Sequence, residues 1–388
     1  MPTYPTYKLE EVAEIILGQS PESKSYNTKG EGLPFFQGKT EFTDWSPIPN
    51  KWCTEPKKIA EPLDILLSVR APVGPTNVAK ERCCIGRGLA AIRYSDCYKY
   101  VLYYLRNVSK YLESKATGTT FAAISGDVIK NLPIPLPPLP TQRAIVARIE
   151  TLFAELDNGV EKLKTAQQQL KVYRQAVLND CLTKGSEKWE KVKLGDVTLK
   201  IGSGSTPKGG QTSYKVSGIP LVRSMNIYSD FIKYDGLAFI DESQAKLLDN
   251  VRVQEGDILL NITGASIGRV NIAPKEWNGA RVNQHVCIIR MNSEYNSKFV
   301  QKYLASPMIQ HWISTKNYGE TRQALSKTMI ENIEIPNPPL PEQQRIVQEI
   351  ETRLSACDKV EKRIAESLQQ AEALRQSILK KAFDGELV

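Results

Sequence analysis

Several stretches of this chain carry residue types that could do chemistry, and each stops short of it. Gly202-Ser203-Gly204-Ser205-Thr206-Pro207-Lys208-Gly209 has the glycines and the lysine of a phosphate-binding loop. It lacks the Gly-Lys-Ser/Thr ending that sets lysine and hydroxyl on the phosphates and their metal, so it reads as a polar loop. Asn337-Pro338-Pro339-Leu340 begins like the Asn-Pro-Pro-aromatic motif of amino-methyltransferases, but Leu340 cannot stack on a flipped base as the aromatic does. His285 and His311 are the only 2 histidines, too few for a metal cluster or a nucleophile relay. The 7 cysteines are scattered, with Cys83 and Cys84 adjacent and no Cys-x-x-Cys pair. Neither a zinc site nor a disulfide framework is expected, and reduced core thiols are. There is also no nuclease-like spacing of Asp, Glu and Lys. Catalysis by this chain is therefore not expected, and no cofactor or metal is assigned to it.

What remains is binding, and composition says to what. Lys and Arg number 51 against 43 Asp and Glu, a net charge of +8, which favours a polyanionic partner. At 388 residues and 41% hydrophobic content the chain can bury a core in each of two or more units. No apolar run follows Met1, and none approaches the roughly 18 to 20 residues of a membrane span. A soluble, cytoplasmic protein with no membrane partner is expected.

The elements that position any binding residue come in duplicate. Ile134-Pro135-Leu136-Pro137-Pro138-Leu139-Pro140 recurs as Ile335-Pro336-Asn337-Pro338-Pro339-Leu340-Pro341. Upstream, Asp64 to Leu67 with Val73-Gly74 matches Asp257 to Leu260 with Ile267-Gly268, and Ala91-Ile92-Arg93 matches Ile288-Ile289-Arg290. Tyr103-Tyr104-Leu105 answers Lys302-Tyr303-Leu304, Gly118 with Ser125 answers Gly319 with Ser326, and Gly18 to Pro21 answers Gly204 to Pro207. Four segments follow: a globular half over 1–133, a proline hinge and helix over 134–185, a second globular half over 186–334, and a second hinge and helix over 335–388. Short apolar runs such as Ile65 to Val69, Leu89 to Ile92, Ile258 to Ile262 and Val286 to Ile289 read as strands. Tyr98 to Leu112 and Asn296 to Ile313 have helical spacing. The fold class is α/β (α+β).

Past each hinge the apolar period becomes heptad-like. The first seam comprises Ile145, Ile149, Leu152, Leu156, Leu163, Leu170, Tyr173 and Val177, interrupted by Gly159. The second comprises Ile346, Ile350, Leu354, Cys357, Val360, Ile364, Leu368, Leu374 and Ile378. Two helices of ~40 residues, each about 60 Å long, most simply bury their stripes on each other. If a pseudo-twofold axis relates the halves, the pair is an antiparallel coiled coil with one globular half at each end. Two-part DNA sites, short half-sites with an unread gap, require that geometry.

The chain resembles the specificity subunits of type I restriction-modification systems. The match rests on the two Pro-Pro-Leu-Pro runs with Gln142 and Gln343, Ile145-Val146 and Ile346-Val347, Ile149-Glu150 and Ile350-Glu351, and Arg174-Gln175 and Arg375-Gln376. Trp189 with Leu194 to Val197, and Gly319 to Arg322, add to it, while the first half opens without the tryptophan. The resemblance implies two target recognition domains and a double-stranded DNA partner with a bipartite site. It also implies two modification subunits that bind S-adenosylmethionine and methylate adenine, and restriction subunits that use ATP and Mg. Two other readings stay open: a helical scaffold whose ends bind proteins, and the specificity part of a split or fused methyltransferase-nuclease.

Residues shared by the halves should hold the scaffold, and residues that differ should read bases, since two unlike half-sites need different donors and acceptors. In the first half the candidates are Lys29, Gln37, Lys39, Arg70, Arg87, Lys115, Thr119 and Thr120. In the second they are Ser205, Lys208, Arg223, Asn226, Arg281, Asn283, Gln284, Tyr318, Thr321 and Arg322, with Thr321-Arg322 foremost. Arg and Lys suit guanine or phosphate; Asn and Gln suit adenine. On the helices, Arg143, Arg148, Glu155, Arg345, Glu349 and Arg353 are candidates for docking the modification subunits.

Overall fold

The structure is a computed structural model, and it describes residues 4–118, 122–316 and 324–387. The chain divides into two compact units, residues 1–164 with 365–388, and residues 165–364. Each unit therefore holds one globular half and a stretch of each long helix.

The duplication inferred from sequence is a duplication of topology. In the first unit Glu14–Leu17, Leu89–Arg93, Ile65–Ser68 and Thr76–Val78 form an antiparallel sheet in that spatial order. In the second, Thr198–Ser203, Val286–Met291, Ile258–Asn261 and Val270–Ile272 repeat it. The strands inferred from apolar runs are thus the two central strands of each sheet, buried on both faces, which is why they read as continuous rather than alternating. A second sheet in each unit contains a parallel pair, Leu33–Phe36 with Cys83–Ile85 and Ile219–Val222 with Arg281–Val282.

The residues common to both halves do hold the scaffold. Asp64 and Asp257, each 2% exposed, take bidentate ion pairs from Arg93 (2.9 and 2.9 Å) and Arg290 (2.7 and 2.8 Å). Each carboxylate also accepts the backbone N–H three residues upstream, of Glu61 (2.8 Å) and Gln254 (2.7 Å). Gly74 and Gly268 have φ of 104° and 87°, and a Cβ at either would press on Ser109 or Gln310, so glycine is required twice for one reason.

Both helical stretches of the globular halves are interrupted. The first divides into Tyr98–Asn107 and Ser109–Ser114, the second into Ser297–Leu304 and Pro307–Lys316. The second break falls at Pro307, which cannot continue a helix but readily starts one.

Each proline run begins in the second strand of a two-stranded ribbon. Pro133–Pro135 pairs with Thr6–Lys8, and Glu334–Pro336 with Lys191–Lys193, so the chain's entry into each half is bound to its exit. The helix that follows is fixed by repeated contacts. Gln142 and Gln343, both buried, donate to the carbonyls of Pro137 and Pro338, each at 2.9 Å. Tyr104 and Tyr303 donate to the carbonyls of Pro133 and Glu334, and Lys99 and Lys298 pair with Glu150 (2.6 Å) and Glu351 (2.8 Å). Asn337, the residue that mimics a methyltransferase motif, accepts from the Tyr295 hydroxyl at 2.6 Å and so belongs to this joint.

The long helices span Leu139–Thr183 and Leu340–Phe383. Within the second unit Arg174 meets Asp358 (2.5 Å) and Glu361 (2.9 Å), while Asp180 meets Arg353 (2.9 Å), so one helix number rises as the other falls. Within the first, Arg375 pairs with Asp157 and lies over the Phe153 ring, its carbon 4.5 Å from the centroid. The helices are antiparallel in both units.

The seam needs one correction. Ile145, Ile149, Val177, Ile346, Ile350, Cys357, Ile364 and Ile378 are buried, and Leu152, Leu156, Leu163, Leu170, Leu354 and Leu368 are half-buried. Tyr173, Leu374 and Val360, however, are exposed, at 52%, 50% and 46%. Tyr173 and Leu374 occupy equivalent positions, and in each copy the following arginine, Arg174 or Arg375, turns to the facing helix instead. A straight α-helix drifts from a strict heptad, which moves the stripe by one residue here. Beyond that point Val177-Leu178 and Cys181-Leu182 pack into the second globular core, and Ile378-Leu379 and Ala382 into the first.

Candidate nucleic-acid interface

In the first unit four candidates named from sequence come together. Gln37, Lys39, Arg70 and Arg87 line one open concavity of about 580 Å3 with Phe42, Ser68 and Gly88, and no carboxylate is among its lining residues. All four are exposed. Gln37 and Lys39 follow the strand Leu33–Phe36, Arg70 follows Ile65–Ser68, and Arg87 precedes Leu89–Arg93, so three strand ends aim loops at one place. Among the described residues no ion pair is made by Lys39, Arg70 or Arg87, which leaves their charge for a ligand.

The second unit presents the same place with different side chains. Backbone hydrogen bonds fix the correspondence. Gly86 N–H donates to Phe36 (2.8 Å) as Asn283 N–H does to Val222 (3.2 Å), and Val69 N–H donates to Gly88 (2.9 Å) as Ile262 N–H does to His285 (2.9 Å). Arg87 therefore corresponds to Gln284, Arg70 to Thr263, Gln37 to Arg223 and Ser20 to Thr206. Here a hydrogen-bonded chain replaces the cluster of cations. The Thr206 hydroxyl meets Gln284 Oε1, Gln284 Nε2 lies 3.0 Å from His285 Nε2, and His285 Nδ1 meets the Thr263 hydroxyl. An amide nitrogen only donates, so His285 Nε2 accepts and its Nδ1–H donates. Thr206, Thr263 and His285 are not among the residues that sequence reasoning selects, although aligning Gly18 to Pro21 with Gly204 to Pro207 marks Thr206 as the partner of Ser20.

Three candidates are corrected. Asn226 is fully buried, accepting from Arg223 N–H (3.1 Å) and donating to the Lys233 carbonyl (3.0 Å), so it closes its own loop. Arg281, 5% exposed, is held by Asp249 (2.6 Å) and backbone carbonyls. Asn283, 4% exposed, accepts from His285 N–H (3.1 Å). A buried polar group must be satisfied internally, which leaves Asn226 and Arg281 no free edge for a base, and burial withdraws Asn283 from the surface. Arg223 is half-buried, donating to the Gly236 carbonyl (2.6 Å) and lying 5.3 Å over the Tyr214 ring. Ser205 and Lys208 are exposed on the loop after Thr198–Ser203; only the short turn Gly210–Ser213 follows, not the α-helix a phosphate loop needs. Lys29 and Lys115 are exposed and are not among the residues that line the concavity of Gln37, Lys39, Arg70 and Arg87. Thr119, Thr120, Tyr318, Thr321 and Arg322 lie outside the described residues.

On the helices Arg143, Arg148 and Glu155 are exposed. Arg345, Glu349 and Arg353 instead form a ladder: Arg345 with Glu342 (2.9 Å) and Glu349 (3.2 Å), Glu349 with Arg353 (2.6 Å), and Arg353 with Asp180 (2.9 Å). Arg345 holds the Glu342 carboxyl below its ordinary pKa. All seven cysteines are free thiols, and among the described residues no group of His, Cys, Asp and Glu is arranged for a metal and no helix is long and apolar enough to cross a membrane.

A model of the type I restriction modification DNA specificity domain matches residues 1–165 and again 186–370, one copy for each repeat. The chain belongs to this family. Over 416 aligned positions it is 26% identical to the EcoBI specificity subunit of Escherichia coli, covering 98% of this chain and 85% of that protein. It is 40% identical over 178 residues to a protein assigned as the MjaX specificity subunit of Methanocaldococcus jannaschii, an alignment of 45% of this chain and 41% of that protein. The HsdS subunit from Thermoanaerobacter tengcongensis superposes with a TM-score of 0.60 at 21% identity over 100% of this chain and 98% of its own. A chain from a study of complex assembly and conformational transition of the type I R-M system gives 0.75 at 21% identity, over 100% and 99%. The last two establish the fold: two sheet-rich domains joined by paired helices. As a specificity subunit the chain supplies DNA sequence recognition to a restriction-modification complex and is not itself catalytic, which displaces the reading as a scaffold with protein-binding ends.

Proposed function

We propose that the globular halves over 1–133 and 186–334 each read one half of a bipartite double-stranded DNA site. The helices over 134–185 and 335–388 fix the unread gap and carry two modification subunits, and restriction subunits complete the assembly in the cytoplasm. S-adenosylmethionine, ATP and Mg belong to those partners. The observation that carries this reading is the pair of equivalent loop clusters: one scaffold, built twice, offers Gln37, Lys39, Arg70 and Arg87 in one copy and Thr206, Thr263, Gln284 and His285 in the other. A duplicated protein that needed one ligand twice would have no use for that divergence. Exposed Arg143 and Arg148 on the central helix, free of the ladder that occupies Arg345 and Arg353, are the better docking contacts.

The test is methylation by the full chain combined with its modification subunits. One gapped motif with two different halves is expected, together with duplex binding by the complex that falls steeply with salt as phosphate contacts release counterions. Methylation at a contiguous motif, or binding indifferent to salt, overturns the reading.

A further inference from the structure

We propose that Arg87 and Gln284 are the same reading position in the two units, and that they select different bases there: guanine in the half-site of the first unit, adenine in that of the second. The proposal rests on the DNA-reading role given to the loop clusters above.

The backbone makes the two positions one. Each lies in a three-residue bridge, Gly86-Arg87-Gly88 or Asn283-Gln284-His285, between the end of a parallel-paired strand and the start of a central strand. The bridge begins with the same bond to the neighbouring strand, from Gly86 to Phe36 and from Asn283 to Val222, and closes on itself, from Leu89 N–H to Gly86 (3.0 Å) and from Val286 N–H to Asn283 (3.3 Å). It ends by accepting from Val69 or from Ile262. With first and last residues tied down by identical bonds, the middle side chain is the one left exposed in both units.

The chemistry of the two side chains then diverges, and so does its support. Arg87 donates its backbone N–H to the Ser20 hydroxyl at 3.3 Å, and its guanidinium forms no hydrogen bond or ion pair among the described residues. Beside Arg70 and Lys39 it offers a two-pronged cationic donor, which matches guanine O6 and N7. Gln284 is oriented from both ends, its Oε1 taking the Thr206 hydroxyl and its Nε2 donating to His285. Each amide atom has one hydrogen-bonding site left, a lone pair on oxygen and a proton on nitrogen. A free acceptor beside a free donor is the complement of adenine N6–H and N7. Thr263, where the first unit has Arg70, removes a cation and holds His285 in the tautomer that accepts from Gln284.

The experiment sequences duplex DNA bound from a randomised library by the full chain in complex with its modification subunits. Wild type should select a gapped motif, and Gln284→Arg should change one position of one half-site from adenine to guanine. Arg87→Gln should change one position of the other half-site from guanine to adenine. Arg87→Lys should keep guanine with weaker discrimination, and Arg87→Ala should erase preference at that position alone, a loss of about 10-fold or more. Unchanged bases in both exchange variants, a change in the wrong half-site, or loss of the whole half-motif in Arg87→Lys as well as Arg87→Gln overturns the proposal. If wild type itself selects no gapped motif, the broader reading of the loop clusters fails instead.

Discussion

Asp64 and Asp257 show how a residue can be legible in sequence for its role while its geometry is not. Their repetition marks them as scaffold, yet nothing in the spacing reveals that each lies nearly sealed beneath an arginine fork. Removing the arginine leaves a buried carboxylate without its counter-ion, so Arg290→Met should destabilise the second unit by about 3 kcal/mol. Urea unfolding followed by tryptophan fluorescence measures this; a loss below about 1 kcal/mol would show the pair to be dispensable. Asn226, Arg281 and Asn283 show the opposite failure, because an asparagine that closes its own loop, or an arginine held by an aspartate and backbone carbonyls, looks like one that reads a base until burial is known. Burial also sets the response to alkali. Desolvation raises the Cys83, Cys84 and Cys287 thiols to about 12, and the Tyr104 and Tyr303 hydroxyls likewise to about 12. Their ordinary values are about 8.5 and 10. The folded chain then holds more protons than the unfolded chain above pH ~9, and its stability is intact below that value and lost as pH rises toward 12. Unfolding midpoints at pH 7 and pH 10.5 should differ in that direction, and equal midpoints would contradict the burial of these groups.

At the scale of elements, the helices and central strands are visible in the sequence because their apolar periods are long and regular. The proline runs are visible as joints but not as strands, since the partner of each ribbon lies more than a hundred residues away in sequence. The heptad seam fails at Tyr173 and Leu374, where an arginine with an acidic partner on the facing helix displaces the preceding apolar residue. If the paired helices set the gap, adding about four residues, ~6 Å, to both at facing positions lengthens the pair by roughly one turn at the cost of a local unwinding of the seam. It should lengthen the unread gap of the methylated motif and leave both half-sites unchanged. An unaltered gap would remove the helices from that role.

For the whole molecule, duplication is the property from which the rest follows. Two copies of one scaffold let shared residues be separated from divergent ones by sequence comparison alone, and that separation finds Gln37, Lys39, Arg70 and Arg87. It passes over Thr206, Thr263 and His285, because ordinary polar residues stand out only when folding joins them in one hydrogen-bonded chain. The central claim is that each unit reads its own half-site independently, and exchanging residues 1–133 for those of a relative with another specificity tests it most directly. Single-molecule sequencing of DNA methylated by the resulting complex should show one half of the motif replaced, with the other half and the gap retained; replacement of both halves, or of neither, would contradict the account.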